Sequence, residues 1–288
     1  MSGGAPAAAA LPQASVIVAV YNGAATLRAC LDSLLRLDYP ADRVELLCVD
    51  NASTDATPRL LADYGSRLRV LCETTRGPAA ARNRGLSVAR GEVVAFTDAD
   101  CAVDPGWLRH LVAPLTDPSV GVVGGKILSR RPCNPIEAFG ERIHDHARAM
   151  YEFSPPYAIT MNWASRRTVL EQIGRFNPTL LRSSDVDCSY RLVAAGYRLV
   201  YAPAAIIYHR NERTPWGLVH EGYVHAVHAP AIEALHAELR RRLRSQRSVV
   251  APPAGAEPSA PHWGDPLWWK LFRFGKRLGR AHAAWRAR

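Results

Sequence analysis

Long apolar runs are missing from this sequence. No stretch approaches the roughly 18 consecutive apolar residues that a membrane-spanning helix needs, so we expect no such helix. The opening MSGGAPAAAALPQ lacks the basic start and strong apolar centre of a secretory signal, and we interpret residues 1–13 as a flexible leader. The six cysteines are scattered, without a CxxC pair or a zinc-like spacing. Together these absences favour a reducing, cytoplasmic compartment.

Excess positive charge is also absent from most of the chain. The formal net charge is +10, and residues 240–288 alone carry twelve Lys and Arg against two acidic residues. The remainder is therefore nearly neutral. The basic character belongs to the C-terminal segment and says nothing about the chemistry of the rest of the chain.

Apolar runs that end in polar residues recur through the first hundred residues. The segments ASVIVAVYN, RVELLCVDNAS, LRVLCE and EVVAFTDAD each predict a buried β-strand. Between them, leucines at helical spacing and the small-residue segment GPAAARNRG predict helices. This alternation predicts an α/β fold, with an open and mostly parallel sheet flanked by helices. Farther along, VGVVGGKIL predicts a strand, and DVDCSYRLVAAGYRLVYAP predicts a helix, a stop at Gly196 and another strand.

Three of the predicted strands end in polar pairs. These pairs are Tyr21 with Asn22, Asp50 with Asn51, and Asp98 with Asp100. Ligands of open α/β sheets bind beyond the carboxyl ends of the strands. The three pairs are therefore expected to meet in one crevice.

Five segments of the chain share their order and spacing with one known family. They are SVIVAVYNGAATLRACLDSLL, ELLCVDNASTDAT, RGPAAARNRGLSVARGEVVAFTDADC, NWASRRTVLEQIGRF and SSDVDCSYRLVAAGYRLVYAPAAIIYH. Through these segments the chain resembles the family 2 glycosyltransferases, which are inverting enzymes of the GT-A fold. The resemblance covers about residues 14–209 and implies a Rossmann-like GT-A domain over residues 14–212. It does not extend to the C-terminal segment.

The Asp98-Ala99-Asp100 triplet follows the fourth predicted strand. A turn after a strand can aim two such carboxylates at one site, and their hard oxygens suit Mg²⁺ or Mn²⁺. From the residues alone, a solvated turn or a helix cap is an equally good interpretation. The resemblance implies that Asp98 and Asp100 form the DxD motif of the family, with Asp100 as the direct metal ligand and Asp98 nearer the ribose. It also implies that His209, after a later strand, is a further metal ligand, although a lone histidine is often structural.

Further donor-site candidates lie at the strand ends and on the small-residue helix. The Asp50 carboxylate can accept a hydrogen bond from a base or a ribose hydroxyl, or it can cap the next helix. Arg82 can reach the nucleotide or hold the aspartate cluster in place. The resemblance implies a nucleotide-sugar site formed by Ala19, Tyr21, Asn22, Asp50, Asn51, Arg82 and Asp98.

An inverting transfer needs a base that deprotonates the acceptor hydroxyl as it attacks. The resemblance places this base at Asp185. The preceding residue is Ser184, where the family usually has Glu. The change removes a neighbouring carboxylate that would tune the pKa of the base. Trp163 and Asp187 are expected on the acceptor side. Alternatively, Trp163 belongs to the core and both aspartates simply favour the N-terminus of a helix.

Three further segments follow the GT-A domain. We expect a helical extension over residues 213–248, a Pro-rich linker over 249–262 and a basic amphipathic helix over 263–288. On a helical wheel, Trp269 falls on the basic side, whereas one apolar arc holds Leu267, Trp268, Leu271, Phe272, Phe274 and Leu278. This pattern is typical of a helix on an anionic membrane surface, and docking on its own domain or on a partner is the alternative. Nucleic-acid binding is not expected, because the aromatic residues form one apolar face.

The sequence therefore predicts a metal-dependent, inverting glycosyltransferase that works peripherally on the inner face of the cell membrane. The donor would be a nucleoside-diphosphate sugar, with a UDP-sugar as the commonest expectation, and the acceptor would supply a hydroxyl of a glycan, glycolipid or natural product. The alternative is a catalytically weak sugar-nucleotide-binding scaffold, which only Ser184 supports. A sugar nucleotidyltransferase is disfavoured, because YNGAATL lacks a Gly-rich loop bearing Arg or Lys after the first strand.

Overall fold

The sheet organises the whole molecule. The computed structural model describes residues 11–132, 134–244 and 265–286. Within these ranges, eight strands form one sheet in the order β3-β2-β1-β4-β7-β6-β8-β5. The strands are β1 (Ala14–Val20), β2 (Val44–Asp50), β3 (Arg69–Cys72), β4 (Val93–Asp98), β5 (Cys101–Val103), β6 (Val120–Ser129), β7 (Asn162–Arg166) and β8 (Arg198–His209).

Helices connect the strands and cover both faces of the sheet. Three short 3₁₀ turns lie at Ala41–Arg43, Gly65–Arg67 and Ala113–Thr116. The α-helices of the described ranges are α1 (Leu27–Leu34), α2 (Thr57–Ala62), α3 (Pro78–Leu86), α4 (Trp107–Val112), α5 (Pro135–Ile143), α6 (His146–Tyr151), α7 (Arg167–Gln172), α8 (Ser184–Ala194), α9 (Pro215–Val227), α10 (Ala229–Leu235), α11 (Ala237–Arg244) and α12 (Asp265–Arg286).

The sheet has a parallel half and a mixed half. Strands β3, β2, β1 and β4 are mutually parallel. Strand β7 then lies antiparallel between β4 and β6, β6 pairs in parallel with β8, and β5 closes the edge antiparallel to β8. This confirms the open α/β sheet flanked by helices. The sequence did not predict the two short strands β5 and β7.

Strand β1 shows why the apolar runs form a buried sheet. Val16, Val18 and Val20 face one side, where they pack with α1. Ile17 faces the other side and packs against α3. Both faces of a parallel strand are covered by helices, so its sequence is apolar throughout rather than alternating.

Helix α3 lies unusually close to the sheet. A Cβ at Gly85 would come within 2.6 Å of Ile17 Cγ2, and Ala79 and Ala81 are fully buried. Small side chains are therefore required along this contact. The close approach brings Arg82 of the same helix to the edge of the sheet where β4 ends.

Helix α12 docks on its own domain. Phe272 packs with Phe139 of α5 and Leu218 of α9. A Cβ at Gly275 would overlap the carbonyl oxygen of Val219, and a Cβ at Gly279 would come too close to that of Tyr223. The helix crossing therefore depends on glycine, which allows the two backbones to touch.

The docked face differs from the predicted apolar arc. Trp269, which the wheel placed on the basic side, packs edge-on against Phe139 at 4.9 Å between ring centres. In contrast, Leu267, Phe274 and Leu278, which belong to the predicted apolar arc, are exposed. The helical wheel was wrong on this point because it counts hydropathy and ignores the glycines, which decide where the helix packs.

Some predictions concern regions beyond the described residues. Most of the predicted leader and the whole predicted linker over 249–262 lie outside them. The bounds of the predicted segments thus stay predictions. Among the described helices, none combines the length and hydropathy needed to cross a bilayer.

Candidate active site

A cleft opens where β1 and β4 end, beside the first turn of α8. Its volume is about 470 Å³, which falls in the usual range for small-molecule sites. Ala19 at the end of β1 lies opposite Asp98 at the end of β4. The cleft is lined by these residues together with Arg82, Asp100 and Asp185. The polar ends of β1 and β4 therefore meet in one crevice as expected, whereas Asp50 and Asn51 at the end of β2 do not line it.

Arg82 and Asp98 form an ion pair at the edge of the cleft. Arg82 Nη2 donates to Asp98 Oδ1 at 2.8 Å, and the side chain of Arg82 is 7% exposed against 31% for Asp98. The guanidinium carbon also lies 5.9 Å from the ring centre of Phe176. Arg82 thus contacts both a carboxylate and an aromatic ring, and it fixes the carboxylate that the resemblance placed near the ribose.

Asp100 and His209 face each other at the same end of the cleft, with 3.4 Å between Oδ2 and Nε2. Asn211 determines which nitrogen of His209 carries the proton. The Asn211 amide nitrogen donates to Ser129 Oγ and to the backbone carbonyl of Glu137, so its oxygen faces His209 Nδ1 at 2.6 Å. Nδ1 must therefore carry the proton and donate it to the Asn211 oxygen. In the neutral ring, Nε2 then carries a lone pair, which faces the Asp100 carboxylate.

The Nε2 lone pair and the Asp100 carboxylate are both electron-rich, so they repel each other at 3.4 Å unless a positive charge lies between them. Burial alone would lower the pKa of His209, but the hydrogen bonds and charge of Asp100 and the contact with Asn211 raise it to about 9. In turn, burial would raise the pKa of Asp100, and His209 holds it below its usual range. A proton or a metal ion can supply the charge, and the orientation through Asn211 is the arrangement that metal-binding histidines use.

The donor atoms of this group suit a hard or intermediate divalent cation. Ligand atoms of Asp100, Cys101 and His209 lie within 4.8 Å of one another. Burial raises the pKa of the Cys101 thiol well above its usual value, so it stays protonated and is a poor ligand. Carboxylate and imidazole remain. Among the described residues, Asp98 does not join this cluster, because it pairs with Arg82.

Asp185 lies in the first turn of α8 and lines the same cleft. Burial raises the pKa of this carboxyl, while the charge of Arg82 and the backbone N–H groups of Val186 and Thr160 partly offset that rise. The preceding residue, Ser184, is buried. A carboxylate with a raised pKa in a cleft fits the role of a general base.

Beside Ala19 and Tyr21 the cleft continues into a smaller pocket of about 140 Å³. Ala19 and Tyr21 line both cavities. Arg76 lies over the ring of Tyr21 at 4.7 Å and hydrogen-bonds its hydroxyl. The buried amide of Asn51 accepts from the Gly77 N–H and fixes the loop before α3. The sequence analysis missed Arg76, and its only signal was an arginine beside glycine in TTRGPA.

Asn22 and Asp50 hold the loops beside this pocket. Asn22 lines the cleft with a positive φ of 51°, and its Oδ1 accepts from the Thr54 N–H at 2.8 Å. Asp50 Oδ1 accepts from the Ser53 N–H at 3.1 Å. This contact lies before α2, whose N-cap is Ala56 with no side-chain cap, so Asp50 does not cap that helix. Asp50 does not line the cleft either.

Two predicted residues lie away from the cleft. Trp163 is fully buried in β7, where its ring packs edge-on with those of Phe96 and Phe176. Asp187 is 1% exposed and pairs with Arg191 at 2.6 Å and with His236 at 2.9 Å. The structure therefore corrects the expectation that these residues contact an acceptor.

A histidine-rich group beside His209 was not predicted, and the rings of His144 and His209 lie 5.0 Å apart between their centres. His144 Nε2 lies 3.3 Å from Glu221 Oε1, and His225 Nε2 lies 3.9 Å from the same oxygen. His144, His225 and Tyr157 line the cleft. Glu221 and His225 are four residues apart on α9, a spacing visible in the sequence as EGYVH, but their link to His144 needs the fold.

Curated relatives share sequence with most of this chain. Glycosyltransferase AglE of Haloferax volcanii is 33% identical over 199 residues, which are 67% of this chain and 65% of that protein. The pre-mycofactocin glycosyltransferase of Mycobacterium tuberculosis is 31% identical over 216 residues, which are 70% of this chain and 44% of that protein. The chain thus spans less than two thirds of the length of these relatives.

Solved structures share the fold. A mannosyltransferase of Pyrobaculum calidifontis in complex with GDP-Man and Mn²⁺ superposes with a TM-score of 0.69 at 24% identity, covering 97% of this chain and 89% of that one. TarS of S. aureus with UDP-GlcNAc superposes with a TM-score of 0.58 at 19% identity, covering 92% and 82%. These likenesses show the GT-A fold. The family model described as glycosyl transferase family 2 matches residues 15–174, and the chain belongs to that family.

Proposed function

We propose that the protein is an inverting, metal-dependent glycosyltransferase that moves a sugar from a nucleoside-diphosphate sugar to an acceptor hydroxyl. The observation that carries this proposal is that two kinds of group meet at one cleft. Asp100, which forms with His209 a pair that calls for a positive charge, and Asp185, whose pKa is raised by burial, both line it. Family membership agrees with this proposal.

The donor side would bind the nucleotide and its diphosphate. Ala19, Tyr21 and Asn51 border the smaller pocket, which suits a base and ribose, and Asp98 is held in place by Arg82. Asp100 and His209, with Asp98 nearby, would hold Mn²⁺ or Mg²⁺. The imidazole favours Mn²⁺. When bound, such an ion offsets the negative charge that develops on the leaving diphosphate. A UDP-sugar is our first expectation for the donor.

The transfer itself would be a single displacement. The acceptor oxygen attacks the anomeric carbon, its O–H proton passes to the Asp185 carboxylate, and the bond from the anomeric carbon to the diphosphate oxygen breaks. The nucleoside diphosphate leaves with that electron pair, and the sugar inverts at the anomeric carbon. Burial favours proton acceptance, because it raises the pKa of Asp185 toward neutrality.

A thermal-shift screen of nucleoside-diphosphate sugars with Mn²⁺ would identify the donor, because a bound ligand stabilises the folded protein. Donor hydrolysis or transfer is then measured in wild type and in Asp185→Asn. We expect the variant to lose about 10²- to 10⁴-fold in turnover, as is usual for removal of a general base. Asp63→Asn, an exposed surface change, is the control. Equal rates for Asp185→Asn and wild type would exclude Asp185 as the base.

The second candidate is a sugar-nucleotide-binding scaffold with weak catalysis. The buried Ser184 favours it, because no second carboxylate stands beside Asp185. The two candidates differ in one measurement. A scaffold would show donor stabilisation in the thermal-shift screen, with turnover that Asp185→Asn leaves unchanged.

We also infer that α12 contacts an anionic membrane surface from the cytoplasmic side. Four exposed apolar residues, Leu267, Phe274, Leu278 and Trp285, share one line along the helix, and basic residues such as Arg277 lie beside it. Apolar insertion beside cations is how interfacial helices bind anionic lipids. Phe274→Ser/Leu278→Ser should pellet less with anionic vesicles than wild type. Equal pelleting, or loss of binding to a protein partner instead, would refute lipid docking.

A further inference from the structure

A second pocket adjoins the cleft beside Tyr157 and His225. It has a volume of about 500 Å³. Ile143, Tyr157 and His225 line both this pocket and the cleft, so the two cavities are continuous. The charge of Asp185 also raises the pKa of Tyr157, after the larger effect of burial, which indicates that Tyr157 is close to the proposed base. A molecule in the second pocket would therefore extend toward Asp185.

The walls of this pocket combine cations and aromatic rings. Helix α12 supplies Trp269, Phe272, Arg273 and Lys276, and the α5–α6 region supplies Arg142, Arg148 and Phe153. The docked C-terminal helix thus completes the pocket. In its absence, this side of the cleft would have no wall of cations and indole.

The positive charges of the pocket are only partly neutralised. Arg142 and Arg148 pair with Asp265 and Glu152. Within the described parts of the chain, Arg273 and Lys276 have no carboxylate at ion-pair distance. Asp145 is the single carboxylate in the lining, and it accepts from the backbone N–H of Arg148 as the cap of α6.

Two further observations show that this group of cations suits an anionic ligand. The pKa of Lys276 is lowered, first by burial and then by the charges of Arg280 and Arg148, and the opposing effect of Glu233 is smaller. Arg142 Nη1 is buried, and no acceptor for it lies within the described structure. A buried donor without a partner costs free energy, which an anionic oxygen would recover.

The aromatic half of the pocket calls for an apolar partner. Lys276 lies 5.6 Å from the ring centre of Phe272, and Arg148 lies 5.9 Å from that of Trp269. The cations and the aromatic rings therefore lie side by side on the same wall of the pocket. Free phosphate would use only the cations, and a neutral sugar would leave their charges without a counter-ion.

We propose that this pocket binds the acceptor, and that the acceptor is an amphipathic molecule with a phosphate group next to an apolar segment. Arg142, Arg273 and Lys276 would hold the phosphate, and Phe153, Trp269 and Phe272 would contact the apolar segment. This assignment rests on the proposed glycosyltransferase function, because it places the acceptor relative to Asp185.

Binding of dodecyl phosphate to the full chain tests the proposal by calorimetry below the micellar concentration. Dodecyl maltoside serves as the uncharged probe and inorganic phosphate as the probe without an apolar chain. We expect dodecyl phosphate to bind at least about tenfold more tightly than either, because only it satisfies both halves of the pocket. Equal affinity for dodecyl maltoside, equal affinity for inorganic phosphate, or no binding of dodecyl phosphate would each overturn the proposal.

A matched pair of variants separates the pocket from the general charge of the helix. Arg273→Gln/Lys276→Gln removes two lining cations, and Lys270→Gln/Arg286→Gln removes two exposed cations of the same helix that do not line the pocket. Glutamine keeps the helical propensity. We expect about tenfold weaker binding of dodecyl phosphate in the first variant only. An equal loss in both variants would mean nonspecific attraction to α12 and would overturn the pocket.

Donor binding with Mn²⁺, measured on the same samples, distinguishes this proposal from the function on which it rests. If wild type binds the donor but not dodecyl phosphate, the pocket assignment is refuted and the glycosyltransferase stands. If dodecyl phosphate binds as expected while no nucleoside-diphosphate sugar does, the pocket is an anion-binding site, and its assignment to an acceptor is refuted together with the proposed function.

Discussion

Replacing Arg82 by methionine removes the positive charge that lies between the donor side of the cleft and the proposed base. The guanidinium donates to Asp98 at 2.8 Å, and its charge opposes the burial that raises the pKa of Asp185. Methionine preserves an unbranched chain of apolar atoms beside Phe176. We therefore predict two separable effects, one on donor binding and one on the pH dependence of turnover.

The effect on donor binding follows from the ion pair. A hydrogen bond between charged groups contributes about 1.5–3 kcal/mol, and the 31% exposure of Asp98 lets water replace part of the lost partner. The lower figure of about 1.5 kcal/mol is therefore appropriate, which is roughly tenfold in the KM for the donor. The KM for the donor should rise rather than fall, because an Asp98 carboxylate without Arg82 would repel the anionic diphosphate of the donor.

The effect on pH dependence follows from Asp185. This carboxylate must be ionised to accept a proton, so activity is lost as the pH falls through its pKa. Removal of Arg82 leaves the effect of burial less opposed, and the pKa of Asp185 rises further. The acidic limb of kcat/KM should therefore move to higher pH, while the rate at alkaline pH changes only through donor binding.

Release of nucleoside diphosphate is the assay, measured from acidic to alkaline pH with saturating Mn²⁺. Arg84→Met is the matched control, since it makes the same change two positions away on an exposed part of α3. A KM and an acidic limb that are the same for Arg82→Met and Arg84→Met would show that Arg82 neither positions Asp98 nor acts on Asp185.

Three other changes test the site and the docked helix. Asn211→Leu should weaken Mn²⁺ binding about 10- to 100-fold, measured by electron paramagnetic resonance, because it removes the acceptor that orients His209; unchanged affinity would refute that role. Asp100→Asn should abolish the stabilisation of the protein by Mn²⁺ in thermal shift, and retention of the full shift would place the ion elsewhere. Gly275→Leu should lower the free energy of unfolding by about 1–3 kcal/mol, because its side chain would overlap the α9 backbone at Val219; denaturation at the wild-type midpoint would show that α12 does not dock there.

The parts of the site that the sequence predicted are those that depend on strand ends. Apolar runs locate β1 and β4, and parallel pairing brings Ala19 and Asp98 to one edge. Arg82 was predicted because small residues in α3 imply close packing. Asp185 came from the resemblance, and the structure places it in the same cleft. These features are local or follow from a simple topology.

The parts that the sequence did not predict depend on distant partners. Strand β7 is short and contains buried polar residues, so its five residues show no apolar run, and Trp163 was placed on the acceptor side. Asn162 of this strand is satisfied only by groups from other elements, including Trp107 Nε1 at 2.8 Å and the carbonyl of Ala205 at 2.9 Å. Asp187 pairs with His236, 49 residues later. Such pairings have no local signal.

The packing of α12 was missed for a different reason. The helical wheel sorted side chains by hydropathy, whereas Gly275 and Gly279 set the contact through the absence of a side chain. A hydropathy scale scores the transfer of side chains from water, so it cannot detect contact between the backbones of two helices. The same helix therefore has a glycine face toward α9 and an apolar line toward solvent. The sequence analysis had predicted a single apolar face in place of these two.

The amide of Asn211 has a consequence for how the site behaves through a reaction cycle. A carboxylate in its position would orient His209 equally well, but it would gain and lose protons and would add a negative charge where a diphosphate must bind. An amide does neither. Nδ1 of His209 therefore keeps its proton, and the ring keeps one direction, while the charge of the cleft changes as donor enters and nucleotide leaves.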